Sequence, residues 1–107
     1  MIFLVSSLVE EKFKKRLQLF IELLKEYQIE YDEVGIFGSY ARGNYKTTSD
    51  IDIAIITDNR PDMRTSGSFR EEAELLGVDV VYMTRDSFKY SNRIFSQRVR
   101  KEYVKLL

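Results

Sequence analysis

The sequence predicts one small α/β domain, a sheet covered by helices. Three observations point there. Segments with helical spacing of apolar residues alternate with short apolar runs of strand length. The chain has 107 residues, one proline and five glycines, which is room for a single core, so residues 1–107 read as one domain. Hydrophobic residues are 44% of the total and charged residues 32%, a balance that buries a core instead of staying disordered.

The elements follow in order. Ser7 followed by Glu10 reads as a capping box. Behind it Val9, Phe13, Leu17, Phe20 and Leu24 form one apolar stripe, which predicts a helix over residues 8–27. Lys12, Lys14, Glu22 and Lys25 fall on its other faces. Val34-Gly35-Ile36-Phe37 is a buried strand ending at Gly38, and Ser39 to Gly43 starts a short helix. Asn44 to Ser49 is a polar loop. Ile51 to Ile56 is the clearest strand, because Ile51, Ile53 and Ile55 alternate with Asp50, Asp52 and Ala54. Thr57 to Ser68, with Pro61 and Gly67 and few apolar residues, reads as a mobile loop. Phe69 to Leu76 is a helix stopped by Gly77, and Val78 to Met83 a third strand. Asp86 or Ser87 caps a turn, and Asn92 to Leu107 is a C-terminal helix with Phe95, Val99 and Tyr103 on one side.

The missing residue types prune the chemistry. With no cysteine there is no disulfide, thiolate nucleophile or cysteine zinc site. With no histidine there is no histidine base and no histidine-ligated metal. A bound metal would need oxygen ligands, which favours magnesium or manganese. Seventeen basic and seventeen acidic residues leave no net charge, which argues against stable, sequence-independent nucleic-acid binding. The run Met1-Ile2-Phe3-Leu4-Val5 is too short for a signal peptide, and nothing approaches a membrane span. A cytoplasmic protein is the expectation, with no membrane partner.

Three features carry chemistry: Gly38-Ser39, Asp50-Ile51-Asp52 and Asp79. Singly, each has a plainer reading as a turn, a solvent-facing strand edge or a strand start. Together they are harder to dismiss. Asp50 and Asp52 lie about 7 Å apart along a strand, where like charges repel and aspartate is disfavoured. Asp79 joins them if its strand is a sheet neighbour. Three clustered carboxylates suit one or two magnesium ions, which offset the repulsion and commonly bridge to phosphates. Gly38 lets the backbone approach an anion, and the Ser39 hydroxyl and following N–H groups donate to it. Arg42, one helical turn on, adds a forked donor. The implied reaction is two-metal in-line displacement at phosphorus.

The segment GSYARGNYKTTSDIDIAI resembles the signature of nucleotidyltransferases of the DNA polymerase beta superfamily: Gly-Ser, about ten residues, then Asp-x-Asp. The inner ARG, the SD before the second acid and the later GVDVVYM resemble the minimal nucleotidyltransferase (MNT) subfamily, MntA-like antitoxins paired with HEPN-domain toxins. The resemblance covers residues 33 to 84. It implies an α/β (α+β) nucleotidyltransferase fold with a small mixed sheet packed with helices. It implies Asp50, Asp52 and Asp79 as catalytic, metal-binding acids, with Asp79 assisting deprotonation of the acceptor. Gly38 and Ser39 would hold nucleotide phosphates, with Arg42 and Ser49 as further contacts. The implied activity is Mg2+-dependent transfer of AMP from ATP, with Mn2+ as a substitute, to a tyrosine of a cognate HEPN-type toxin.

Larger members of the superfamily add domains for their acceptors, and this chain has no residues to spare for one. A partner protein or a second copy must then present the acceptor, as a homo- or hetero-oligomer. Two other readings compete. One is a non-catalytic nucleotide-binding module that neutralises its partner by occlusion; the other is nucleotidyl transfer to a small molecule. Arg93, Arg98, Arg100, Lys101 and Lys105 make the C-terminal segment basic, either as a solvated face or as charge that attracts ATP or an acidic partner. Arg60 and Arg64 in the 57–68 loop suggest a lid over the nucleotide, and Tyr40 a residue lining the site.

Overall fold

The computed structural model describes residues 7–46 and 48–107, with side chains from residue 11 onward. The Met1–Val5 run lies outside the described residues, and so do the side chains of Ser7, Val9 and Glu10, on which the capping box and the start of the apolar stripe rest.

The chain runs α1 (Ser7–Glu26), β1 (Glu33–Phe37), α2 (Ser39–Arg42), β2 (Ile51–Ile56), α3 (Met63–Leu75), β3 (Val78–Met83), α4 (Arg85–Tyr90), α5 (Ile94–Glu102) and β4 (Val104–Lys105). The four strands form one sheet in the order β3-β2-β1-β4. β1 is antiparallel to β2 and β4, whereas β2 and β3 are parallel, so the sheet is mixed. The parallel pair needs a crossover, and α3 supplies it.

Strand alternation divides the core into two layers. Ile51, Ile53 and Ile55 of β2, with Val34, Ile36, Val78 and Val80, pack against Phe20, Leu23 and Leu24 of α1 and Phe69 and Ala73 of α3. Phe37, Ala54, Ile56 and Met83 point the other way and meet Val99 of α5. β2 is therefore buried on both faces, apart from Asp52. Phe13, Leu17, Phe20 and Leu24 all contribute to the first layer, as their spacing predicts. Among the described residues no helix is long and apolar enough to cross a membrane.

Four expectations need correction. The 57–68 segment is not a loop throughout: α3 starts at Met63, because the Asp62 carboxylate accepts from the Thr65 N–H at 2.8 Å and caps it. Arg64 thus lies in a helix, and Arg60 stacks over the Tyr82 ring at 4.8 Å. Secondly, α4 is capped by Thr84, whose hydroxyl accepts from the Ser87 N–H at 3.0 Å, and not by Asp86 or Ser87. Thirdly, the C-terminal helix ends at Glu102. Tyr103 is extended, and Val104 and Lys105 pair with Ile36 and Gly35. The ring of Tyr103 lies across Gly35, in space that any side chain at position 35 would fill. Lastly, Tyr40 does not line the site. It is buried between Tyr45, at 4.1 Å, and Phe13, at 4.8 Å.

Candidate active site

The site forms where β1 ends and β2 and β3 begin. Gly38 leaves β1 with φ 77° and ψ −154°, a backbone state that favours glycine. A Cβ there would also run into the Asp52 carboxylate. The turn and the acid are thus in contact, because Phe37 pairs with Asp52 across the strands. Ser39 opens α2, and the Gly38 carbonyl accepts from the Arg42 N–H at 3.0 Å. Gly43, at φ 82°, closes the short helix in the left-handed conformation.

Asp52 and Asp79 are register partners in the parallel pair, so their side chains leave the same face of neighbouring strands about 4.8 Å apart. Asp50 sits one residue before β2 and is exposed, as is Asp79; Asp52 is half-buried. Burial first, then the Asp79 charge and more weakly Asp50, push the Asp52 carboxyl above its usual range. The guanidiniums of Arg98 and Arg42 oppose this. Among the described residues no three acidic side chains are gathered tightly enough to form a ready-made metal cage. The donor set nonetheless fits a hard divalent cation: oxygen ligands only, and a half-buried carboxylate beside a second one, a crowding that a cation relieves.

Two residues that sequence reasoning did not single out, Glu102 and Arg16, shape the site. Glu102, at the end of α5, accepts from the Gly38 N–H through Oε1 at 3.0 Å and from Arg42 through Oε2 at 2.7 Å. Arg98 approaches Oε1 at 3.6 Å. Burial alone would raise the Glu102 carboxyl; the Arg42 and Gly38 hydrogen bonds outweigh it and hold it below the usual value. An open groove of about 720 Å3 runs beside these groups, lined by Arg42, Gln97, Arg98, Lys101 and Glu102. Arg98 and Lys101 of the basic segment therefore face the site, whereas Arg100 bonds the carbonyls of Phe88 and Ser91 at 2.7 Å each. The signal for Glu102 was available: it is the sole acid after Asp86.

Arg16 of α1 is the second. Its guanidinium donates to the Leu76 carbonyl at 2.9 Å, the Gly77 carbonyl at 2.6 Å, the Tyr40 hydroxyl at 3.1 Å and the Ser49 carbonyl at 3.4 Å. It thereby ties together the segments that carry Ser39, Asp50 and Asp79. Ser49 itself stands next to Asp50 with its hydroxyl accepting from the Lys46 N–H at 2.9 Å, within its own loop.

Comparison with known proteins identifies the family. Residues 11–104 match the family model described as "Nucleotidyltransferase domain". Two curated relatives from Methanocaldococcus jannaschii both carry the name "Putative protein adenylyltransferase". One is 25% identical over 92 residues, covering 78% of this chain and 87% of the relative. The other is 37% identical over 67 residues, covering 62% and 76%. Among solved structures, a chain of a toxin–antitoxin complex with AMP-PNP aligns with a TM-score of 0.58 at 25% identity, covering 81% of this chain and 68% of that one. A chain from the complex of a tri-AMPylated Shewanella oneidensis HEPN toxin with an MNT antitoxin gives a TM-score of 0.57 at 21% identity, covering 88% and 71%. With a family match spanning most of its length and a fold shared with those complexes, the chain belongs to the nucleotidyltransferase domain family.

Proposed function

We propose that this protein is a Mg2+-dependent protein adenylyltransferase that transfers AMP from ATP to a tyrosine of a partner HEPN-type toxin in the cytoplasm, and so acts as its antitoxin. The observation that carries this reading is the register pair Asp52–Asp79, set against the Gly38 turn, with Asp50 two residues before Asp52. Carboxylates beside backbone and guanidinium donors able to hold a phosphate are what phosphoryl and nucleotidyl transfer require. The relatives named as protein adenylyltransferases and the tri-AMPylated toxin in a complex of like fold support the choice of a protein acceptor.

Each residue has a task in that reaction. Asp50, Asp52 and Asp79 would hold the divalent cations, which supply charge neutralisation at the phosphates. Gly38 offers its N–H, and Ser39 its hydroxyl, to phosphate oxygens, with Arg42 and Ser49 beside them. Asp79, exposed and at the edge of the pair, accepts the proton of the attacking tyrosine hydroxyl. That oxygen bonds the α-phosphorus, the bond to the β-phosphate oxygen breaks, and pyrophosphate leaves.

Intact-mass measurement tests this. The adjacent-gene product, incubated with this protein, ATP and magnesium, should gain mass in AMP increments, located on a tyrosine by fragmentation. An unchanged mass with both proteins folded, together with a doubly substituted Asp50→Asn, Asp52→Asn form that still protects cells, would replace catalysis with occlusion.

A further inference from the structure

We propose that Glu102 fills the triphosphate cradle of the nucleotide-free protein and is displaced by the nucleotide, after which Arg98 joins Arg42 in gripping the phosphates. This rests on the nucleotidyl-transfer reading and adds to it a built-in competitor and a further binding residue.

The donors around Glu102 make an anion site. A backbone N–H at a glycine turn and two guanidiniums converge on one carboxylate. Its two oxygens are used separately, Oε1 by Gly38 and Arg98, Oε2 by Arg42, as two oxygens of a phosphate would be. The position is the telling part. Gly38 abuts Asp52, so whatever anion its N–H holds stands directly beside the acid pair. A phosphate taking this place would lie where a cation on Asp52 and Asp79 could meet it.

The fold gives the carboxylate somewhere to go. Glu102 is the last residue of α5, and the chain turns extended at Tyr103, so a rotation of the side chain moves the carboxylate without moving the helix. The open groove next to it is lined by Arg42, Gln97, Arg98 and Lys101. A single carboxylate neutralises only part of that positive charge, whereas a triphosphate carries more charge and more acceptor oxygens. Forked guanidinium donors favour the phosphate. The nucleotide therefore wins the exchange but binds more weakly than it would to an empty cradle, because the vacant state is only fractionally populated.

The bland alternative is a strut: Glu102 only ties α5 to the Gly38 turn. Calorimetric titration of the full chain with MgATP, and separately with inorganic tripolyphosphate, tells them apart. Glu102→Gln should bind both ligands about 5- to 20-fold more tightly than the unsubstituted protein. Arg98→Gln should bind both about 5- to 10-fold more weakly. Glu102→Asp, one methylene shorter, should also bind more tightly, and serves if the glutamine form does not fold. Equal or weaker binding by folded Glu102 variants, with the unsubstituted protein binding MgATP normally, overturns the clamp and leaves nucleotidyl transfer standing. No binding of MgATP by any form overturns both.

Discussion

Asp52 and Asp79 sit side by side on the parallel strands β2 and β3, and the fold holds them there against their mutual repulsion. The hydrophobic core bears that cost, with Ile51 and Ile53 flanking Asp52 and fully buried. The arrangement makes function and stability pull in opposite directions at one residue.

Asp52→Asn should therefore stabilise the metal-free protein. We expect its Tm to rise by roughly 2–5 °C in calorimetry without divalent ions, since an uncomfortable charge is removed. AMP transfer should fall by about 1,000-fold or more in the same variant. Added magnesium should raise the Tm of the unsubstituted protein and leave that of the variant unchanged.

The pH dependence of two variants should run in opposite senses. The Asp52 carboxyl is raised above 3.8, so its cost to the native state is present when it is ionised and disappears as pH falls toward 3.8. The Glu102 carboxyl is lowered below 4.5, so it contributes stability above 4.5 that is lost as pH falls through its folded-state value. At about pH 7, Asp52→Asn should melt above the unsubstituted protein and Glu102→Gln below it. Melting curves recorded down to about pH 3 should converge from both sides. Parallel curves would contradict the assignment.

Gly38→Ala and Gly43→Ala separate backbone strain from site geometry. Both glycines have positive φ, 77° and 82°, so each alanine should cost about 1–2 kcal/mol in urea unfolding. At Gly43 nothing lies within 4 Å of an added Cβ, whereas at Gly38 it meets Asp52. Only Gly38→Ala should also weaken MgATP binding, by about 10-fold or more.

Arg16→Met should destabilise the fold by about 1–3 kcal/mol, because the half-buried Leu76 carbonyl loses its side-chain donor and the Gly77 carbonyl keeps only the Ile51 N–H. Transfer should drop as well, since Asp50 and Asp79 flank those anchored segments. Arg16→Lys should rescue little of either loss, because a point-like ammonium cannot serve acceptors spread over Leu76, Gly77 and Tyr40.

What could be read beforehand was local. The bounds of β2 and β3 follow from alternation and from Gly77, whose φ of 74° ends the α3 turn. The Gly38-Ser39 and Asp50-Asp52 spacing is written along the chain, whereas Asp79 entered as the third acid through the family resemblance and on the condition that its strand is a sheet neighbour. The pairing that sets Asp79 beside Asp52 is a tertiary fact, since spacing does not fix which strands are neighbours. The partners of Arg16 and Glu102 were hidden for the same reason, although Glu102 stands out in the sequence as the sole acid after Asp86. A charged residue on a helix reads as solvated until the fold shows which distant carbonyl or N–H it meets. The start of α3 was missed because Pro61 and Gly67 suggest a loop, yet the Asp62 cap and the helix's buried Phe69 and Ala73 prevail over one interior glycine. The end of α5 was missed because the apolar spacing of Val99 and Tyr103 suits a helix, while an open edge on β1 recruits the chain as a strand.

Gly35 leaves a hollow in β1, and the ring of Tyr103 rests in it. Filling that hollow by even one methyl group would have to lift the ring, and the residue bonded to Tyr103 is Glu102. A position that looks like bland sheet interior is thus a lever on the charged groove, and its tolerance to substitution is set at the far end of the polypeptide.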